Sequence, residues 1–228
     1  ASMLATMLAG AAWAFGRIIG VPLEQLRKAM RVHAELDPIP THWAEELREI
    51  AQAYNTQVQE LRHQARHDGL TGLGNRILLE EQMQQALRRA ARAQTRGYVL
   101  LLDLNHFKPI NDALGHAAGD NVLVEVGRVL RHYILPTDAA ARIGGDEFAV
   151  LLNHTDKTKV YEIAKTVSEA IRSITVGQVP AGDLPTFGVS VGIVGLSSEM
   201  DFGTALARAD AACYAAKRAG RGRIVMLD

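Results

Sequence analysis

The stretch Ala141-Arg142-Ile143-Gly144-Gly145-Asp146-Glu147-Phe148-Ala149-Val150-Leu151-Leu152 decides how the rest of the chain is read. Apolar runs flank two glycines and two adjacent carboxylates, which predicts a β-hairpin over roughly residues 139–152. Its turn is expected from residues without a Cβ that are free to take positive φ. A hairpin does not need Asp146 and Glu147 where the strand resumes. Either they are solvated turn residues, or the glycines admit a nucleotide against bare backbone while the acids hold a divalent cation.

A second stretch favours the cation. Tyr98-Val99-Leu100-Leu101-Leu102-Asp103 is an uncharged run ending in a carboxylate, as expected of a buried strand. If that strand lies beside the hairpin, Asp103 approaches Asp146. Carboxylates crowded at strand ends repel one another unless a cation sits among them, and Mg²⁺ is commonly held by one or two carboxylates plus substrate phosphates.

Further out, Asp68-Gly69-Leu70-Thr71-Gly72-Leu73-Gly74-Asn75-Arg76 is rich in turn residues, with Asp68 and Thr71 suited to capping backbone donors. Gly115-His116-Ala117-Ala118-Gly119-Asp120 precedes a helix expected from Asn121 to Ile134, where Asp120 by itself would read as an N-cap. Helices are also expected at Ile77–Arg92, Lys157–Ile174 and Thr204–Ala219. Strands are expected over Thr186–Val194 and Arg223–Leu227. Helices on one face of a mostly antiparallel sheet is an α+β arrangement.

These motifs, taken in order with Asp103 through Asn111 and Ala209-Asp210 through Lys217-Arg218-Ala219-Gly220-Arg221, resemble the GGDEF-domain diguanylate cyclases, whose signature is spelled by residues 144 to 148. The resemblance spans about Arg66 to Asp228. It implies a palm-like, ferredoxin-related central sheet, mostly antiparallel, with flanking helices. It implies condensation of two GTP to cyclic di-GMP and two pyrophosphates by a homodimer. In that reading Asp103, the Leu104 carbonyl, Asp146 and Glu147 hold two Mg²⁺ per active site, with Mn²⁺ as an alternative. Asp146 accepts the hydroxyl proton, and Lys108 stabilises charge on the α-phosphate. Gly144 and Gly145 let the nucleotide approach, and Lys217 and Arg221 bind the triphosphate. Asn111 and Asp120 read the base, with His116 beside them. A carboxylate accepts from both guanine N1–H and the exocyclic amine, whereas adenine presents an acceptor at N1. The alternative is a degenerate domain that binds GTP or cyclic di-GMP without turnover. Leu135-Pro136-Thr137-Asp138 stands where the family often has the Arg-x-x-Asp of a product-inhibition site, and leucine binds no phosphate.

The first 65 residues are of another kind. Met3 to Gly16 carries no charge and is followed by Arg17, Arg27, Lys28 and Arg31, with Trp13 placed as an interfacial anchor. Residues 1–17 are expected to be the cytoplasmic end of a transmembrane helix whose earlier part lies upstream, with a helix starting at Pro22-Leu23 and a break at Pro38 and Pro40. A helix from Trp43 carries Leu47, Ile50, Tyr54, Val58, Leu61 and Ala65 as a coiled-coil stripe. Residues 18–65 resemble a HAMP linker that pairs and signals to the catalytic domain at 66–228. The full-length protein is then expected at the inner membrane with its catalytic domain in the cytoplasm, while residues 1–228 by themselves are expected to be soluble.

With 25 basic and 25 acidic residues the net charge is zero, so no bulk field draws in nucleic acid, and phosphate recognition must be local. The single cysteine, Cys213, sits in an apolar helical pattern and reads as a buried thiol.

Overall fold

The computed structural model describes residues 2–93, 97–153, 156–175, 187–197 and 199–227. The chain divides into two compact units, Ala1–Ala65 and Arg66–Asp228.

In the first unit, α1 (Ser2–Phe15), a π-helical turn (Gly16–Gly20) and α2 (Val21–Val32) run on as one helix. Pro22 lies in the first turn of α2, where the sequence suggested a helix start, but the π turn leads into it without a break. A proline lacks an N–H and crowds the carbonyl four residues back, and the wider π turn just before it gives that ring room, with Val21 N–H bonding Gly16 O. This 31-residue helix contains a window long and apolar enough to cross a membrane, and none of that window is buried. The next helix, α3 (Glu45–Arg66), buries Ala51 and Val58. Leu26, Trp43 and Ala51 form a small core with Leu36, Ile39 and Leu47. Asn55 clasps the Leu36 backbone, accepting from its N–H at 2.9 Å and donating to its O at 2.7 Å. Of the expected α3 stripe, Val58 is buried, whereas Ile50 and Leu61 stand exposed.

The second unit is a five-stranded sheet of order β2-β3-β1-β4-β5, formed by β2 (Ala139–Arg142), β3 (Glu147–Leu152), β1 (Tyr98–Asn105), β4 (Gly188–Gly195) and β5 (Ile224–Leu227). All pairings are antiparallel except β4 with β5. The flanking helices are α4 (Arg76–Ala93), α5 (Phe107–Leu114), α6 (His116–Tyr133), α7 (Lys157–Arg172) and α8 (Phe202–Arg218). This is the palm-like α+β architecture expected.

Alternation along β1 divides the core between two faces. Leu100, Leu102 and Leu104 enter one cluster, which takes in Val122, Val126 and Leu130 of α6 and Val160, Val167 and Ile171 of α7. Val99 and Leu101 enter the other, with Leu79 and Met83 of α4 and Ala205, Ala209 and Cys213 of α8. Asp103 continues that second face.

Several local readings are corrected. After β1, a segment for which no helix was expected, residues 107–114 form α5, begun by His106 in the left-handed region (φ 63). The next helix begins at His116, five residues before the expected start, with Gly115 at its N-cap, so Asp120 lies inside α6 and caps nothing. The expected strand residue Thr186 and the side chain of Ala90 lie outside the described residues.

Candidate active site

The hairpin forms as expected, but for a different reason. Gly144 and Gly145 are not among the positive-φ glycines of the described residues. What Gly144 provides is space, because a Cβ there would stand 2.7 Å from Glu147 Oε2, while at Gly145 it would meet nothing. Arg142 braces the turn by donating to Gly145 O at 2.8 Å, and reaches Asp68 at 3.3 Å on the other side. Asp68 in turn accepts from the Thr71 N–H and hydroxyl at 2.8 and 2.7 Å. Burial would raise the Asp68 pKa, but the Thr71 bonds and the Arg142 charge outweigh it and hold the carboxyl below its ordinary range. Gly74 pairs with β2 through its N–H to Ala140 O and its O from Arg142 N–H, which makes the Asp68–Arg76 motif part of the hairpin's support.

Register brings the acids together. Asp103 is the cross-strand partner of Glu147 on β3 and of Ser190 on β4, and the Leu104 N–H bonds Asp146 O at 3.1 Å. Directly opposed residues on antiparallel strands share a face, so Asp103 and Glu147 are like charges side by side. Burial raises the Asp103 pKa first; Lys217 pulls it back, and Asp146 and Asp210 push it up again, leaving it above the ordinary value. The Glu147 pKa is raised by burial and then by Asp103, Asp146 and Asp210.

Lys217 completes the cluster, with Nζ 2.5 Å from Asp103 Oδ2. Its placement follows from Gly192. On β4, Gly192 faces Leu101 in register, and a Cβ on it would fall 2.2 Å from Ala209 O and 2.3 Å from Cys213 N. Only glycine lets α8 lie with its backbone on the strand. Cys213 Sγ then bonds Ser190 O, and Lys217, one turn on, covers Asp103. Burial lowers the Lys217 pKa, but the hydrogen bond and charge of Asp103 outweigh it and the net shift is upward. Cys213 is buried and its thiol is pushed up to about 12, mainly by desolvation, so it is an inert packing residue.

The remaining expected residues fall into two groups. Asn111 is on α5 with its Oδ1 buried and without a partner, pressed so closely against Gly119 of α6 that a Cβ there would lie 1.8 Å away. His116 and Asp120 are exposed on the first turns of α6. Lys108 is exposed on α5, and Arg221 is exposed just past α8 in left-handed backbone (φ 50). Among the described residues no hydrogen bond or ion pair joins Lys108 or Arg221 to the acids. Sequence reasoning missed Asp210 as a member of the cluster. Its signal was the spacing within α8: Asp210 and Lys217 are seven residues, two helical turns, apart and share a face.

Among the described residues no three acidic, histidine or cysteine side chains close around one point. The donor set of Asp103, Leu104 O, Asp146 and Glu147 is all oxygen, the chemistry of Mg²⁺, which takes one or two carboxylates and fills its remaining positions with water and phosphate oxygens. Like charges that hold one another's pKa up are also what a divalent cation would relieve.

A central strand ending in a carboxylate, opposite an acid-bearing hairpin and beneath a helix-borne lysine, defines a palm-like domain of the GGDEF type. Residues 65–223 match the family model "Diguanylate cyclase, GGDEF domain", and the chain belongs to that family. Diguanylate cyclase TpbB of Pseudomonas aeruginosa is 36% identical over 90% of this chain and 51% of its own length. Diguanylate cyclase DgcS of Shewanella oneidensis is 38% identical over 72% of this chain and 54% of its own. The chain thus spans about half the length of these curated relatives. Among solved structures, the coiled coil and GGDEF domain of DgcB from Caulobacter crescentus, in complex with c-di-GMP, superposes with a TM-score of 0.74 at 29% identity, over 80% of this chain and 96% of that one. Diguanylate cyclase SiaD of Pseudomonas aeruginosa, solved with its activator SiaC, gives 0.66 at 26% identity over 99% of this chain and 84% of that one.

Proposed function

We propose that the chain is a diguanylate cyclase that condenses two GTP into cyclic di-GMP and two pyrophosphates. The observation carrying this is the in-register pair Asp103 and Glu147 at the end of the central strand, with Lys217 on Asp103. Asn111 on α5 and Asp120 on α6 are assigned to the base, and guanine suits a carboxylate there because its N1–H and exocyclic amine both donate, whereas adenine presents an acceptor at N1.

In each step the 3′-oxygen of one GTP forms a bond to the α-phosphorus of the other, and the bond from that phosphorus to the bridging oxygen breaks. Pyrophosphate leaves with the electron pair, and the hydroxyl proton passes to the Asp146 carboxylate. A second such step closes the ring. Mg²⁺ held by Asp103, the Leu104 carbonyl, Asp146 and Glu147 supplies charge neutralisation when bound. The protein's own contribution is orientation and fixed charge. Lys108 steadies charge on the α-phosphate, Lys217 and Arg221 bind the remaining phosphates, and Gly144 and Gly145 keep the turn low enough for the nucleotide. With one GTP per domain, two domains must face each other, so the active form is a homodimer.

Pairing and control are assigned to residues 18–65 as a HAMP-like linker, and membrane attachment to residues 1–17. The support is the apolar, unburied window of the 31-residue helix and an open apolar groove of Leu23, Met30 and Ile50. The catalytic domain, residues 66–228, then works in the cytoplasm. Purified protein given GTP and Mg²⁺ should release pyrophosphate and form cyclic di-GMP, and Asp146→Asn should lower the rate at least about a hundredfold, the scale of general base catalysis. GTP binding without product in every dimeric preparation would instead support the binding-module reading.

A further inference from the structure

The turn joining α8 to β5 has three consecutive residues at positive φ: Gly220 (117), Arg221 (50) and Gly222 (61). Glycine adopts that region freely, but Arg221 does not, and an L-residue stays there when its surroundings hold it. The surroundings here are specific. The Arg221 and Gly220 N–H groups both bond Lys217 O, at 3.1 and 3.3 Å, which ends α8. Gly222 is gripped at both its polar groups. Its carbonyl accepts from the Arg172 guanidinium of α7 at 3.3 Å, and its N–H meets the Ser190 hydroxyl at 3.3 Å.

Ser190 belongs to a buried pair. It is fully buried and Asn105 nearly so, and the Ser190 hydroxyl lies 3.0 Å from the Asn105 amide. The amide orientation that satisfies both ends has Asn105 Nδ2 donating to Ser190 Oγ at 3.0 Å and Oδ1 accepting from Gly222 N–H at 3.1 Å. Asn105 is two residues beyond Asp103 on β1, on the same face, and Ser190 is the β4 partner of Asp103. The strand end that carries the metal-ligand candidate is therefore tied through two buried side chains to the turn that carries Arg221. Arg172 closes that tie from the other side.

We infer that Asn105, Ser190 and Arg172 are positioning residues that clamp Gly222 and so hold Arg221 in the left-handed conformation from which it reaches the nucleotide's phosphates. The inference rests on the reading of Arg221 as a triphosphate ligand. None of the three touches substrate. They act through Arg221, and their loss shows in nucleotide affinity before it shows in the chemical step.

Arg172 is the residue to vary first, because it is exposed and its truncation leaves the core intact. Steady-state pyrophosphate release should be measured for the whole chain as wild type, Arg172→Ala, Arg172→Lys, Arg221→Ala and Arg172→Ala/Arg221→Ala. Arg172→Ala should raise the KM for GTP about fivefold, the scale of one charge-assisted hydrogen bond at a partly exposed site, with kcat little changed. Arg172→Lys, which keeps a cationic donor, should recover most of it. In the Arg221→Ala background, Arg172→Ala should change nothing further. An unchanged KM in Arg172→Ala, or the same multiplication of KM in both backgrounds, overturns the clamp. Ser190→Ala, checked for folding by its thermal melt, should raise KM in the same direction, and a folded Ser190→Ala with wild-type KM removes the buried half. Absence of turnover in the wild type would refute the cyclase reading alone. The same cycle, read as GTP·Mg²⁺ affinity by calorimetry, then judges the clamp by the same criteria.

Discussion

Replacing Gly192 by alanine should damage fold and site together. The added Cβ would be 2.2 Å from Ala209 O and 2.3 Å from Cys213 N. Both are backbone atoms in the middle of a helix, so no side chain can swing away. Ordinary contact begins near 3.4 Å, so α8 must retreat by about 1 Å from a close-packed interface that includes Ala205, Ala209 and Cys213. Overpacking of this kind costs about 1–3 kcal/mol, and with two backbone clashes the upper end applies. For a domain of this size about 3 kcal/mol lowers Tm by roughly 6–12 °C. The retreat also lifts Lys217, one turn beyond Cys213, from Asp103, and turnover should fall by more than the melt explains. Gly195→Ala on the same strand is the control, since its Cβ would meet only the Tyr98 ring, at 3.4 Å. Thermal unfolding by circular dichroism and pyrophosphate release at a temperature where every variant is folded give the two readouts. A Gly192→Ala variant melting within about 1 °C of Gly195→Ala would refute the packing argument. A low melt with unaltered kcat and KM would refute the link from Gly192 to Lys217.

Glu147→Gln should abolish turnover yet raise Tm slightly at pH 7. The folded pKa values of Asp103 and Glu147 lie above the unfolded ones, so these acids disfavour the folded state when ionised, and the cost is relieved as pH falls through the folded values. The stabilisation should therefore shrink on acidification to about pH 4, and a gap that widens would contradict it. Asp68 has the opposite sign. Its folded pKa is lowered, so its contribution is present above the unfolded pKa near 4 and is lost as pH falls through the folded value. A double-mutant cycle of Asp68→Asn and Arg142→Ala in denaturant unfolding should give about 1 kcal/mol of coupling, and additivity within error would remove the brace. Cyclic di-GMP should not inhibit through Asp138, because Leu135 stands where a guanidinium would be needed and Asp138 is already engaged by the backbone N–H groups of Leu135 and Asn153. Leu135→Arg, at a position 58% exposed, should leave that unchanged unless those bonds open, and product inhibition curves for the two proteins decide it.

Much of the second unit was legible in the sequence because its signals are local and strong. The run from Tyr98 to Asp103 is too apolar to be anything but a buried strand, and two glycines between apolar runs at 141–152 can hardly avoid a hairpin. The order of helices and strands followed from their periodicity. The boundary at Asp120 was misread because Gly-Asp-Asn has the chemistry of a cap, while the real N-cap, Gly115, is recognisable only from its φ of 83. The π turn at 16–20 was not legible because nothing in Gly-Arg-Ile-Ile-Gly marks it, and the Pro22 that follows reads as a plain helix start. The tertiary facts were the least legible. That Gly192 is where α8 touches the sheet, and that Asp210 joins the acids, depend on contacts across more than ten residues of sequence.

The acid cluster also explains why α8 is anchored so firmly. Asp103, Asp146, Glu147 and Asp210 repel one another, and that repulsion adds to burial in holding the Asp103 and Glu147 carboxyls above their ordinary range. A single ammonium, that of Lys217, offsets it among the described side chains. Such a lysine has to be held against the rotational freedom of a long side chain, and its reach from α8 is short only because Gly192 brings the helix down onto the strand. A phosphate chain entering the site would compete with Asp103 for the same ammonium. If it takes Lys217, Asp103 loses its counter-charge at the moment a divalent cation arrives with the nucleotide, so cation and nucleotide should each bind more tightly in the presence of the other. Titrating Mg²⁺ and GTP against one another by calorimetry should therefore show positive coupling in the wild type beyond that of the Mg·GTP complex itself, and that excess should be lost in Lys217→Ala. Equal excess in both proteins would show that Lys217 is a surface cation with no part in the exchange.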